Sequence, residues 1–206
     1  MSKSQKVYTI FKNIIDFIGS ILGILVCFTL LWWWIFIINL FVTRGHPVFR
    51  QERLGKNKKI FKILKFRTMK KEANPYLPPS EISGEQYYKM ETSFGRFLRK
   101  TSLDETLQLF NILFGQMSFI GPRPGAAINE NNLILEREKF IPNAYMVKPG
   151  LSGLAQISLS DKHNASLKAE IDSKYVSNIS FLLDAKLFFK TIFCFFNSFN
   201  GGVEKL

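Results

Sequence analysis

Residues 20–42 read SILGILVCFTLLWWWIFIINLFV and carry no charge. As a helix rising about 1.5 Å per residue, this stretch would reach roughly 34 Å, enough to cross a hydrocarbon core of about 30 Å. Cations crowd both of its ends: Lys3, Lys6 and Lys12 before it, and Arg44, Arg50, Arg53, Lys56, Lys58 and Lys59 after it. Positive residues beside a membrane segment prefer the cytoplasmic side. Both ends are therefore drawn to the same side, a conflict most simply relieved by a segment that enters the bilayer and returns. A secretory signal peptide fits poorly, because the apolar run is too long and no small-residue cleavage site follows Val42. The chain thus divides into a membrane-embedded re-entrant helix at 1–43 and a domain at 44–206.

The second part is the size of one domain. A hydrophobic fraction of 47% and a mean hydropathy of +0.04 suit a globular domain joined to a membrane segment. The 28 Lys and Arg exceed the 16 Asp and Glu by twelve. Such an excess suits lipid head groups, a phosphorylated substrate or nucleic acid. Nucleic acid ranks last, because the cations alternate with apolar residues beside the membrane segment and no nucleic-acid motif accompanies them. Cys27 and Cys194 sit in apolar stretches and read as small buried hydrophobes. His46 and His163 are isolated, so a histidine-rich metal site is not expected.

Residues 47–69 read as a hairpin, with strands at 48–53 and 60–66 around a turn at 54–57 that holds Gly55. Residues 70–90 are polar and proline-containing, a loop. A short helix is predicted over 92–100. In Ser102-Leu103-Asp104-Glu105 the serine can cap a helix, with Glu105 at the capping-box position. Leu103, Leu107, Phe110, Leu113 and Phe114 then keep helical spacing as far as Gly115. Two prolines keep 118–124 from being regular for long. A helical stretch runs to about Phe140, and 148–153 is turn-rich. From 180 to 199, Phe181, Leu182, Ala185, Phe188, Phe189, Ile192, Phe193, Phe196 and Phe199 share one broad helix face, with Lys186, Lys190 and Asn197 opposite. Such a helix either packs in the core or lies in the membrane interface with its apolar face down. The whole reads as an α/β chain, mostly helical: a re-entrant membrane helix, a short β-hairpin, and C-terminal amphipathic helices at the interface.

Three stretches could carry chemistry. Asp104 and Glu105 are either ordinary acids at a helix N-terminus or a pair in which one carboxylate attacks and the other holds Mg²⁺. In Gly121-Pro122-Arg123-Pro124, the arginine can grip a phosphate with two hydrogen bonds while the prolines remove backbone freedom. Lys65-Phe66-Arg67-Thr68-Met69 places two cations and a hydroxyl at a strand end. Together, beside a membrane, they outline a site for a diphosphate and a cation.

The same residues carry a family resemblance. PVFRQERLG at 47–55, FKILKFRTM at 61–69, TSLDETLQLFNILFGQMSFIGPRP at 101–124, KPGLSGLAQI at 148–157 and DSKYVSNISFLLDAKL at 172–187 resemble, in order, the bacterial sugar transferase family, the monotopic phosphoglycosyl transferases. The resemblance implies transfer of a sugar 1-phosphate from a UDP-sugar to polyprenyl (undecaprenyl) phosphate, releasing UMP and initiating glycan assembly at the cytoplasmic face of a bacterial inner membrane. It implies that Asp104 attacks the β-phosphorus to form a covalent aspartyl intermediate and that Glu105, with Asp104, binds Mg²⁺. Lys65, Arg67, Arg99, Pro122, Arg123, Pro124 and Asp172 match substrate-binding positions. Besides the membrane, the implied partners are the two substrates and, as an open question, a second copy in a homodimer, with no nucleic acid. The rival reading is an inactive membrane-anchored scaffold of the same ancestry.

Three departures stand out. Family members carry Ser-Pro inside the membrane helix, whereas no proline precedes Pro47 here. The turn near Thr29-Leu30-Leu31 must arise otherwise, for example through Thr29 bonding to the helix backbone, or the helix spans. Gln116 replaces an aspartate. Leu154 and Ile157-Ser158 replace tryptophan and asparagine, a change that bears on sugar or lipid recognition.

Overall fold

A computed structural model describes residues 2–73, 84–127, 130–159 and 164–199. Its first element, α1, is a single helix over Lys3–Val42. Ser2 caps it with a full capping box through Gln5. No chain reversal interrupts it. Where the sequence suggests a turn, the helix widens into a π segment, Phe28–Trp32, and Thr29 Oγ1 donates to the carbonyls of Leu25 and Val26 at 2.9 and 3.1 Å. Without a proline there is nothing to remove a backbone donor, so the ladder shifts register instead of breaking.

The burial of α1 is inverted relative to a soluble helix. Its buried residues include Lys12, Asp16, Ser20 and Asn39, whereas Val7, Phe11, Leu22, Leu30, Trp34 and Phe41 are exposed. The buried stripe recurs every three to four residues along the whole length. Gln5 Nε2 donates to the Ser177 carbonyl, Lys12 pairs with Asp184, Asp16 accepts the Phe119 amide, and Asn39 Nδ2 reaches the Pro47 carbonyl. Between them, Gly19 and Gly23 admit Phe119 and Leu109. A Cβ at these positions would stand 2.8 and 3.1 Å from those side chains.

The hairpin forms as predicted. β1 (Val48–Leu54) and β2 (Ile60–Phe66) pair antiparallel, Val48 opposite Phe66 and Leu54 opposite Ile60. The turn falls at 55–59, slightly beyond its expected place. The expected loop at 70–90 is in part helical: α2 covers Gly84–Met90, while 74–83 lie outside the described residues. Next, α3 covers Ser93–Lys100, capped by Thr92. The helix expected from Ser102 is instead a 3₁₀ turn, Leu103–Leu107, leading into α4, Gln108–Leu113. Ser102 makes no side-chain cap, because it sits in the left-handed region at φ 52°. A cap needs extended backbone there.

Two expected irregular stretches pair with each other. β3 (Ser118–Ile120) and β4 (Gly150–Ser152) form a short parallel ladder. Cβ atoms at Gly150 and Gly153 would come within 2.1 and 2.0 Å of the Gly121 backbone, so only glycine permits this crossing. Around it lie α5 (Asn131–Glu138), α6 (Leu154–Ser158) and α7 (Ala165–Ser177).

The last helix, α8 (Phe181–Phe199), docks through Asp184 and Leu187, and turns Phe181, Leu182, Phe188, Phe189 and Phe193 outward. One apolar core joins α1 to β2, α3 and α4, and a second joins β3, α6, α7 and α8.

Candidate active site

Strand alternation sets Lys65 on the same face as Phe61 and Ile63, which are buried. Its aliphatic stem is therefore covered, and the ammonium must find an acceptor. It finds Glu105 Oε1 at 2.6 Å, with both side chains under one-fifth exposed. Arg123 Nη2 reaches the same oxygen at 3.2 Å. Burial by itself would raise the Glu105 carboxyl, but Arg123 and Lys65 hold it well below the usual carboxylate range. Burial pushes the Lys65 ammonium down, with Glu105 opposing.

Asp104 precedes Glu105 and is 7% exposed. In a 3₁₀ turn of about three residues, neighbours diverge by roughly 120°. The two carboxylates therefore face different surroundings although they adjoin in sequence. On the far side of the turn, Thr106 Oγ1 accepts the indole N–H of Trp32 from α1 at 3.0 Å.

Arg123 is fixed through its backbone. Prolines at 122 and 124 have no N–H, so the loop cannot brace itself. Each carbonyl is instead held from outside. Pro122 accepts from the Gly150 amide, Arg123 from Arg137 Nη2, Pro124 from Arg53 Nη1, and Gly125 from the Leu54 amide, all at 2.9–3.2 Å. Arg137 is in turn locked by Asp172, whose Oδ2 accepts from Nε and Nη2 at 3.0 and 2.5 Å. Both side chains are at most 3% exposed.

Among the residues expected from sequence, then, Lys65, Asp104, Glu105, Pro122, Arg123 and Pro124 come together. Arg99 sits at the margin. It feels Asp104 and Glu105 electrostatically, but its guanidinium is held by Thr68 Oγ1 at 2.9 Å and Glu91 at 3.5 Å. Arg67 turns away, its Nε donating to the His46 carbonyl at 2.8 Å. Asp172 borders the same cavity but is bound to Arg137, so it acts on Arg123 from behind. Gln116, the departure from aspartate, accepts from Asn111 Nδ2, which also clamps the Lys62 carbonyl of β2. An amide oxygen serves there as an acceptor in place of a carboxylate.

Arg53, Arg137 and Gln156 were not legible as site residues. No spacing in sequence links Arg137 to Asp172, thirty-five residues away. Glu105 and Arg123 open onto a cavity of about 640 Å³. Its charged lining also includes Arg137, Lys168 and Asp172. Its apolar lining includes Leu109, Phe119 and Leu151, with Phe188, Ile192 and Phe195 of α8. Among the described residues, no group of three or more His, Cys, Asp and Glu could hold a metal. Either carboxylate is of the type Mg²⁺ takes, one or two at a time with substrate phosphates and water.

The sequence model described as bacterial sugar transferase matches residues 7–198. A UDP-glucose:undecaprenyl-phosphate glucose-1-phosphate transferase of Klebsiella pneumoniae is 38% identical over 160 residues, 73% of this chain and 33% of that protein. An undecaprenyl-phosphate galactose phosphotransferase of Salmonella typhimurium is 34% identical over 164 residues, 73% of this chain and 34% of that one. An uncharacterized sugar transferase of Bacillus subtilis, EpsL, is 39% identical over 151 residues, covering 72% and 69%. The chain thus spans about a third of the first two relatives and most of the third.

Proposed function

Because this chain belongs to the bacterial sugar transferase family, we propose that it transfers a sugar 1-phosphate from a UDP-sugar to polyprenyl phosphate, releasing UMP. The observation that carries this reading is the convergence of Lys65 and Arg123 on Glu105, beside Asp104, at a cavity lined by both charged and apolar residues. Two cations share the one Glu105 carboxylate, which leaves positive charge on their side for a diphosphate.

The two carboxylates take different roles. Glu105 is committed to Lys65 and Arg123 and sets their positions. Asp104, directed elsewhere by the 3₁₀ turn, is the nucleophile: its oxygen bonds to the β-phosphorus, the bond from that phosphorus to the bridging oxygen breaks, and UMP departs with the electron pair. A phosphate oxygen of the lipid then attacks the same phosphorus, breaks the bond to Asp104, and leaves a lipid diphosphate sugar. Arg123, its loop carbonyls held by Gly150, Arg137, Arg53 and Leu54, meets the phosphate charge without reorganising. Mg²⁺ held by one of these carboxylates together with the substrate phosphates would add neutralisation of that charge.

The lipid acceptor requires the site to lie at a membrane. Helix α1 meets the domain from Gln5 to Asn39, a span of about 50 Å at 1.5 Å per residue. A helix crossing the bilayer would leave a domain on one side after its first few turns. We therefore assign α1 to the membrane surface, with its apolar flank in lipid, its polar stripe on the domain and both ends in the cytoplasm. The outward phenylalanines of α8 join it there.

Purified protein incubated with a panel of UDP-sugars, Mg²⁺ and undecaprenyl phosphate should release UMP with at least one sugar. Asp104→Asn should abolish release, and mass spectrometry of wild type without lipid should find the phospho-sugar adduct on Asp104. Wild type that binds UDP-sugar without releasing UMP would instead be the inactive scaffold. The relatives' names differ in their sugar, so family membership leaves the sugar to this panel.

A further inference from the structure

The neutral polar groups of the cavity share a property that their hydrogen bonds dictate. Gln156 Nε2 donates to the Leu151 carbonyl at 3.0 Å. A carbonyl only accepts, so this contact fixes which way the amide faces. Gln156 Oε1 is then the remaining acceptor, buried and without a hydrogen-bond partner, in a side chain that lines the cavity. Ser152 Oγ lies 2.7 Å from Thr191 Oγ1, and Thr191 donates its own proton to the Leu187 carbonyl at 2.8 Å. The Ser152 proton is thereby spent on Thr191, which leaves Ser152 with lone pairs as well. Both residues border the same space as Arg123 and Glu105.

We propose that Gln156 and Ser152 form an acceptor wall that selects the neutral end of the nucleotide sugar, through an O–H or N–H group of the ligand, while Arg123 takes its phosphates. The inference rests on the UDP-sugar reading above and adds to it the residues that discriminate among donors. A buried acceptor left unpaired by the wrong ligand costs more than a matched one gains, so such a wall rejects as well as binds. Three parts of a UDP-sugar carry suitable donors: the sugar hydroxyls, the ribose hydroxyls and the uracil imide N–H.

The test measures dissociation constants of UDP-sugar and of UMP by calorimetry, for wild type, Gln156→Met and Ser152→Ala, with thermal unfolding of each. Gln156→Met, close in volume, should weaken UDP-sugar about 10- to 100-fold with the melting temperature little changed, because one matched acceptor is lost. Ser152→Ala should weaken it several-fold and carries the comparison if Gln156→Met does not fold. An equal loss for UMP assigns the donor to the nucleoside. A loss confined to UDP-sugar assigns it to the sugar. Unchanged constants for both ligands in both variants overturn the proposal. Because these are binding measurements, a wild type that binds UDP-sugar yet releases no UMP defeats the reaction alone, and leaves the wall to be judged by its own numbers.

Discussion

The indole N–H of Trp32, about three-quarters of the way along α1, donates at 3.0 Å to the hydroxyl of Thr106, the residue following Glu105. A hydrogen bond thus joins the long apolar helix to the turn that presents both carboxylates. Trp32 is 7% exposed and its ring lies 5.2 Å from that of Phe110. The tie is therefore packed as well as bonded.

Trp32→Phe keeps the aromatic contact and removes the donor. It should cost about 1 kcal/mol in thermal unfolding and lower the rate of UMP release, while binding to vesicles is unchanged. Unchanged turnover would mean that the turn holds its geometry without the helix.

Gly23→Leu places a branched side chain where Leu109 already leaves no room. The expected loss is about 1–3 kcal/mol from overpacking. The lipid-facing flank is untouched, so vesicle flotation should persist even as unfolding shifts to lower temperature.

Acid should act on Glu105 in a defined direction. Its folded pKa is depressed by Arg123 and Lys65, so the stabilisation is complete above the ordinary carboxylate value, near 4.3, and is lost as pH falls below it. Arg123→Met removes part of that depression. Its loss of melting temperature should start at the same pH, set by the unfolded carboxylate, but be smaller in total and level off at a higher pH than that of wild type, and coincident acid limbs would contradict the pairing.

Phe189 and Phe193 are 69% and 65% exposed on α8. Phe189→Glu with Phe193→Glu should leave soluble-phase unfolding nearly unaltered and weaken binding to anionic vesicles by about tenfold or more. Full retention on vesicles would remove α8 from the membrane face.

Ser2→Cys, in a background without Cys27 and Cys194, reports which side the N-terminus occupies. In intact cells an impermeant maleimide should leave it unmodified, whereas a cysteine at residue 2 facing the outside would be labelled and would make α1 a spanning helix.

The sequence alone determined what local chemistry determines. Alternation and Gly55 specified the hairpin, an uncharged run specified the membrane helix, and the spacing of phenylalanines specified α8. Lys65, Asp104, Glu105 and Arg123 were picked out as groups suited to a diphosphate, and the fold sets Lys65 and Arg123 on Glu105, the neighbour of Asp104. The rest needed the folded chain. Ser102 looked like a cap, yet its backbone is left-handed because the chain must turn from α3 into the 3₁₀ segment. Asp172 read as a substrate-binding residue, and only the fold showed that its carboxylate is paired with Arg137 at the wall of the cavity. The direction of α1 was open because hydropathy reports length and not which side faces what. Its polar stripe became meaningful only once Asp184, the Phe119 amide and the Ser177 carbonyl stood opposite it, drawn from distant parts of the chain. Hydrogen bonds between residues far apart in sequence leave no periodic trace, and here they decide which polar groups remain for a ligand.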